Sequence, residues 1–187
     1  MTASFAFAQR PCRGETICGD AFTEIREPGL LVALADGLGH GPLANEASEA
    51  FCAHVRRNTG QRLEQLMHGA TRAIAGTRGA AAAVMRIDED AGQLSFAGVG
   101  NVELQSVSQV PIRPVCTPGI VGRPLRKVVT YRYEIQPGDL LVMYSDGISS
   151  RFDLKKFKRF EPQEIVDQLL EEHGKHHDDA TVLAVKI

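Results

Sequence analysis

The chain has 187 residues, 43% of them hydrophobic, which is enough for one domain with a real core, so residues 1–187 are expected to fold as a single unit. The formal charge of −2 argues against nucleic acid as a main partner, and no apolar run is long enough to span a bilayer. The opening MTASFAFAQR lacks the basic start and long apolar stretch of a leader, and Cys12, Cys18, Cys52 and Cys116 form no CxxC pair, so a cytoplasmic protein without a zinc cluster is expected.

The first predicted strand is the alternating SFAFA, and DAFTEI follows a turn at Gly19. LLVALA, Leu30 to Ala35, is an unbroken apolar run that reads as a strand buried on both faces. Pro42 can open a first helix, in which Leu43, Ala47, Phe51 and Val55 recur every fourth residue and Gly60 can close the segment. A second helix carries Leu63, Leu66, Met67, Ala70 and Ile74 on one face before Gly76. The strands AAAAVMRI, QLSFAGV, VELQSV, VTYRYEI and LLVMYS come next. Pro162 then opens a third helix bearing Ile165, Val166, Leu169 and Leu170, and the chain closes on ATVLAVKI. Short late connections favour antiparallel pairing. Two early helices and one late helix each need a surface to cover. The expected fold is therefore α+β, an α-β-β-α sandwich of two mainly antiparallel sheets flanked by helices.

Carboxylates recur at the mouths of these strands. LLVALA ends in Asp36-Gly37, LLVMYS ends in Asp146-Gly147, Asp178-Asp179 precedes ATVLAV, and Asp20 opens the second strand. Taken singly, an Asp-Gly pair is a turn signal, because Asp bonds its own backbone and Gly accepts positive φ. Six apolar residues before such a pair, twice in one domain, are not what a plain hairpin turn requires. If the strand ends converge, several carboxylates share one site and cannot all ionise unless a cation joins them. Oxygen-only ligation suits magnesium or manganese better than zinc, and two such ions can promote in-line displacement at phosphorus.

ADGLGHG, the SDGI of LLVMYSDGI, and DDATVLAV resemble the motifs of the metal-dependent Ser/Thr protein phosphatases, the PPM family, in its SpoIIE-like branch. GVGNVE, Gly98 to Glu103, and the lack of a sensor or coiled-coil extension resemble the compact stressosome members of that branch. The resemblance implies a Mn2+- or Mg2+-dependent protein phosphatase with about two ions, acting on phosphorylated STAS-domain proteins of a stress-signalling complex. It implies that Asp36 bridges the ions, that the carbonyl of Gly37 binds one, that Asp146 and Asp178 hold the other, and that Asp20 contacts a metal directly or through water. Asp179 falls where relatives carry Asp or Asn and is expected to support the ligands from behind. Catalysis by attack of water, without a phosphoenzyme, follows from the same resemblance.

The match has gaps. Eukaryotic relatives carry Asp-Gly-His, with a His thought to protonate the leaving oxygen. Leu38 occupies that place here and His40 lies two residues later, so His40 is the acid, a loop-shaping residue, or neither. Arg13 stands at a different spacing from the relatives' phosphate-binding arginine, and that role does not transfer to it. The glycine-rich Gly37 to Gly41 fits neither GxGxxG nor GxxxxGK[ST]. Lys155, Lys156, Lys158 and Arg159 form a basic run that is either a solvated face or a docking patch for a phosphorylated protein. His176-His177 reads as an exposed loop pair. A partner-binding regulator that keeps the fold without catalysis is the alternative function, and the retained Asp36, Asp146 and Asp178 weigh against it. A nucleotide-binding kinase-like module lacks its Asn-rich helix motif and glycine lid here.

Overall fold

Alternation along each strand divides its residues between two apolar layers, and a computed structural model, describing residues 2–26 and 28–187, shows where each layer goes. Among the described residues nine strands form two sheets. One has the order β1-β9-β8-β6, from Ser4–Arg10, Ala180–Lys186, Leu140–Tyr144 and Glu103–Val107. The other has the order β2-β3-β4-β5-β7, from Asp20–Arg26, Leu30–Gly37, Ala80–Asp88, Gln93–Val99 and Thr130–Glu134. Every ladder between these strands is antiparallel. The expected α-β-β-α sandwich is the fold observed.

In β3, Leu30, Val32 and Leu34 face the other sheet, with Met85 and Phe96 beside them and Leu141, Met143, Leu183 and Val185 opposite. The intervening Leu31, Ala33 and Ala35 face helices α1 (Pro42–Arg57) and α2 (Leu63–Ala73), where Phe51, Val55, Leu66 and Met67 cover them. β3 is thus buried on both faces, as its unbroken apolar run requires. α3 (Pro162–His173) covers the opposite sheet, with Ile165, Val166 and Leu169 against Ala6, Val142, Tyr144 and Val182.

Three helix ends follow their punctuation, while α1 stops at Arg57 with Asn58 as its cap, short of the expected Gly60. Pro42 and Pro162 occupy first-turn positions, where a missing N–H breaks no helical bond. Glu164 accepts from the N–H of Glu161 at 2.9 Å, and Gly174 caps α3 by donating to Leu170 at 3.1 Å. One short element was not expected. Leu154–Phe157 is a 3-10 turn in which Leu154 and Phe157 are buried while Lys155 and Lys156 stay outside.

Candidate active site

The inner-face alternation of the sheets continues past the last apolar rung and turns polar. In β3 the series Leu30, Val32, Leu34 is followed by Asp36. Across the ladder Asp36 is the direct partner of Asp20, the first residue of β2. Directly opposed like charges destabilise a sheet, so this register brings together two carboxylates that resist ionising together. On the other sheet, Ser145 follows Leu141 and Met143 in the inward series, and Thr181 precedes Leu183 and Val185. The same open end of the sandwich therefore collects polar groups from both sheets.

Asp36-Gly37 is not a turn. Both residues lie in the β3 ladder, Asp36 opposite Ala81 and Gly37 opposite Ala80. Asp146-Gly147 is a turn just beyond β8, closed by Ile148 N–H donating to the Ser145 carbonyl at 3.0 Å. Both glycines are required by backbone contact. A Cβ on Gly37 would stand 2.0 Å from the Ala44 carbonyl oxygen, and one on Gly147 would stand 1.8 Å from that of Asp179. The first contact lays the start of α1 on the end of β3 at Asp36-Gly37. The second lays the Asp146 turn on the residues that open β9.

Asp20 is 2% exposed. One of its oxygens accepts from the Ser145 hydroxyl at 2.7 Å, and the other is buried with no hydrogen-bond partner. The Ser145 hydroxyl also accepts from the N–H of Thr181 at 3.0 Å, so one side chain ties β8, β9 and β2 together. Gln9 bridges the same groups, donating to the Asp20 carbonyl and to the Thr181 hydroxyl, each at 3.0 Å. Asp146 is held by Asn101, whose amide donates at 2.7 Å, and the Lys175 ammonium donates to the Asp146 backbone carbonyl. Asp178 accepts from the N–H of Asp179 at 3.0 Å. Asp179 is 2% exposed, accepts from the N–H of Cys12 at 2.8 Å, and keeps a second oxygen buried without a partner.

Electrostatics follow from this crowding. Burial, then the charges of Asp20, Asp146 and Asp178, push the Asp36 carboxyl up to about 9. Burial pushes Asp20 up to about 7 against the opposing pull of its hydroxyl partners. Burial and then Asp146 raise Asp178. Among the described residues no three acidic, histidine or cysteine side chains already close into a metal cage. The donor set nonetheless fits a hard cation. It is all oxygen, its charges repel one another, and Asp20 holds a buried oxygen that nothing satisfies. A loosely assembled carboxylate set suits an ion that retains water ligands, as magnesium does.

A pH dependence follows for metal-free protein. Over the window from about 4 to about 9, native Asp36 holds a proton that the unfolded carboxyl has released, so stability should fall as pH rises. Thermal melts in chelator at pH 5 and pH 8 should show the lower midpoint at pH 8. A higher midpoint at pH 8 would rule out carboxylate crowding as the dominant strain.

His40 is 61% exposed at its side chain, and its Nδ1 pairs with Glu15 at 2.6 Å. The pair fastens the loop before α1 to the segment that leads into Asp20, which favours the loop-shaping reading. Lys155, Lys156, Lys158 and Arg159 are all exposed on and after the 3-10 turn. His176 and His177 are exposed in the loop before Asp178, and all four cysteines are free. Sequence reasoning missed Asn101, Ser145 and Glu15. Ser145 adjoins the SDG motif and Asn101 lies in GVGNVE, so both were within sight, but only the cross-sheet geometry gives them work.

A family model described as Stage II sporulation protein E (SpoIIE) matches residues 26–187. Phosphoserine phosphatase RsbX of Bacillus subtilis (strain 168) is 31% identical over 176 residues, covering 91% of this chain and 87% of that protein. A chain from a structure of the bacterial stressosome system is 31% identical and superposes with a TM-score of 0.95 over 100% of both chains. RsbX in complex with magnesium is 27% identical, with a TM-score of 0.87 over 98% of this chain and 94% of that one.

Proposed function

This chain belongs to the SpoIIE family, and from that premise we propose that it dephosphorylates phosphoserine or phosphothreonine on STAS-domain proteins of a bacterial stress-signalling complex. It is a phosphoric monoester hydrolase whose cofactor is Mg2+ or Mn2+. The observation that carries the reading is the meeting of Asp20 and Asp36 as ladder partners, beside Asp146 and Asp178, with a buried Asp20 oxygen left unsatisfied.

In this proposal Asp36, the Gly37 carbonyl, Asp20, Asp146 and Asp178 would hold the ions. When bound, the ions supply an activated water and neutralise charge at phosphorus. The chain's own groups hold those ligands in place. Ser145 orients Asp20, Asn101 orients Asp146, and Asp179 anchors the Cys12 segment behind them. A cavity of ≈ 310 Å³ is lined by Asp146 and Glu103 and by the cations Arg151 and Lys175, the latter pair being the groups there that could face an anionic substrate. Residues 1–187 act as one phosphatase domain in this reading. A cytoplasmic location is supported by four free cysteines. Among the described residues no helix is long and apolar enough to cross a membrane.

The direct test is phosphate release from a serine-phosphorylated STAS-domain protein. Release at a rate no greater than from a denatured phosphoprotein would refute the proposed substrate class.

His40→Ala distinguishes the roles left open for that residue. A proton donor matters for a serine alkoxide and little for an activated phenolate. Loss of an acid should slow a phosphoserine substrate by about 100- to 10,000-fold while sparing an aryl phosphate. The Glu15 pair predicts the other outcome, a similar and smaller loss on both substrates, through a displaced Asp36 loop. A loss confined to phosphoserine would make His40 the acid.

We assign the basic run to substrate capture. Neutralising Lys155, Lys156, Lys158 and Arg159 together should weaken action on a phosphoprotein more than on p-nitrophenyl phosphate. Equal effects on both would leave the run as a solvated face.

A further inference from the structure

The two sheets present four edge strands, and they are not protected alike. β2 carries Glu24 and Arg26, and β7 carries Arg132 and Glu134, charges of the kind that block edge-to-edge pairing. β1 has Gln163 of α3 donating to the Phe7 carbonyl and Arg26 donating to the Ala3 carbonyl just before it. β6 carries a single charge, Glu103, at its first residue. After Glu103 it reads Leu-Gln-Ser-Val, with no charge and no proline. Its backbone bonds to β8 on one side, and among the described residues no hydrogen bond reaches the backbone of residues 103–107 from the other.

The chain that follows β6 runs back beside this edge without a backbone ladder; the Ser106 hydroxyl donates to the Ile112 carbonyl and the Cys116 thiol to the Val102 carbonyl, each at 3.0 Å. Pro111 and Pro114 lack the N–H that pairing needs, and Ile112 buries its side chain in the inter-sheet core. Two adjoining grooves, ≈ 440 and ≈ 380 Å³, lie between the edge and this segment, and both are lined by Leu104, Pro114 and Val115. Val115 is 68% exposed, so an apolar wall stands there facing solvent. One end of the trough reaches Asn101, which holds Asp146. The other end carries Arg113 and Lys155.

We propose that the free edge of β6 is the docking strand for the substrate, taking the residues on the N-terminal side of the phosphoserine as an added antiparallel strand. The inference rests on the phosphatase reading. β6 runs away from the proposed metal site, from Glu103 to Val107. Antiparallel addition, the stronger of the two pairings, therefore points the peptide's C-terminal end toward Asp146. The docked residues precede the phosphorylated one. Strand addition draws its affinity from backbone bonds and its selectivity from alternate side chains. Val115 supplies the exposed apolar contact for one alternate set. A strand rises ~3.4 Å per residue, so the five residues of β6 span about 17 Å. An acidic side chain about five residues before the phosphoserine then meets Lys155 and Arg113. The occupant is an extended, acid-bearing segment of the phosphoprotein.

The test uses phosphopeptides with five flanking residues on either side or on both, assayed with magnesium-loaded protein by phosphate release. Removing the N-terminal flank should lower kcat/KM by about ten-fold or more, the worth of two or three backbone hydrogen bonds. Removing the C-terminal flank should have little effect. N-methylation of alternate N-terminal residues should reproduce the loss in one register and not in the other. Lys155→Glu should reverse the preference for Glu over Lys about five residues before the phosphoserine. Dependence on the C-terminal flank, or equal tolerance of both N-methylated registers, overturns the proposal. So does a dimer in sedimentation that is abolished by Val115→Glu, since the edge then serves a second copy of this chain. Anisotropy of a labelled dephosphorylated peptide on chelator-treated protein reads the groove independently of turnover. A wild-type protein that binds this peptide yet hydrolyses no phosphate ester contradicts the phosphatase reading while upholding the groove. One that hydrolyses p-nitrophenyl phosphate but binds no peptide does the reverse.

Discussion

Asp36→Asn should abolish turnover while leaving a folded and, without metal, more stable protein. The side chain is nearly isosteric, so the β3 ladder at Ala81 and Asp20 is undisturbed. What is lost is one negative charge at the point where three other carboxylates converge. Charge stabilisation by a bound cation is worth several kcal/mol, so losing a carboxylate that would hold the ions should reduce the rate by about a thousand-fold or more. The stability gain has the opposite sign for the same reason. Burial and neighbouring charge hold Asp36 far above its ordinary range, and asparagine removes both penalties. Melts in chelator should therefore place the variant above wild type, and its fall in stability between pH 5 and pH 8 should be shallower. A variant with wild-type turnover would reduce Asp36-Gly37 to a structural strand end.

Chelation should reduce wild-type turnover to background, and added magnesium or manganese should restore it. The donors at the open end of the sandwich are carboxylates and carbonyls, while His176 and His177 remain exposed in their loop. That set selects hard divalent ions. Stability should move with activity. A ligand at a hundred times its dissociation constant adds about 2.7 kcal/mol to the folded state, so magnesium should raise the wild-type melting midpoint by several degrees. It should raise that of Asp36→Asn much less. Undiminished turnover in metal-stripped protein would end the metal mechanism, whatever the melts show.

Much of this was legible from residue order because local chemistry wrote it there. Pro42, Pro162 and Gly174 mark helix ends through a missing N–H or a cap. The unbroken LLVALA run could only be a strand covered on both faces, and the structure covers it with a second sheet and two helices. The grouping of Asp20, Asp36, Asp146 and Asp178 was foreshadowed by their shared place at strand mouths. Strand order was not legible, since a period of two says which face is buried and nothing about which neighbour pairs. The same limit hid the Asp20 and Asp36 ladder partnership. Asp36-Gly37 and Asp146-Gly147 are identical dipeptides, yet one is a paired strand end and the other a turn, a difference made by β4 lying alongside the first. Asn101, Ser145 and Glu15 act across 45, 125 and 25 residues of chain, on Asp146, Asp20 and His40 respectively, and no local signal reports contacts at that separation.

The pairing of β1 with β9 has a consequence for how the protein is made. Ser4 lies opposite Lys186 and Arg10 opposite Ala180, so β1 must wait for a partner that is made after all the other strands described. A ribosome adding about 5–20 residues per second leaves the apolar Phe5 and Phe7 without a pairing strand for roughly ten seconds or more. The five-stranded sheet, whose strands lie between residues 20 and 134, can assemble before then. Newly made chains should therefore pass through an intermediate with that sheet formed and β1 unpaired. Emergence of β9 closes the second sheet and brings Asp178 up to Asp20 and Asp36, so metal affinity should arise only after this pairing forms.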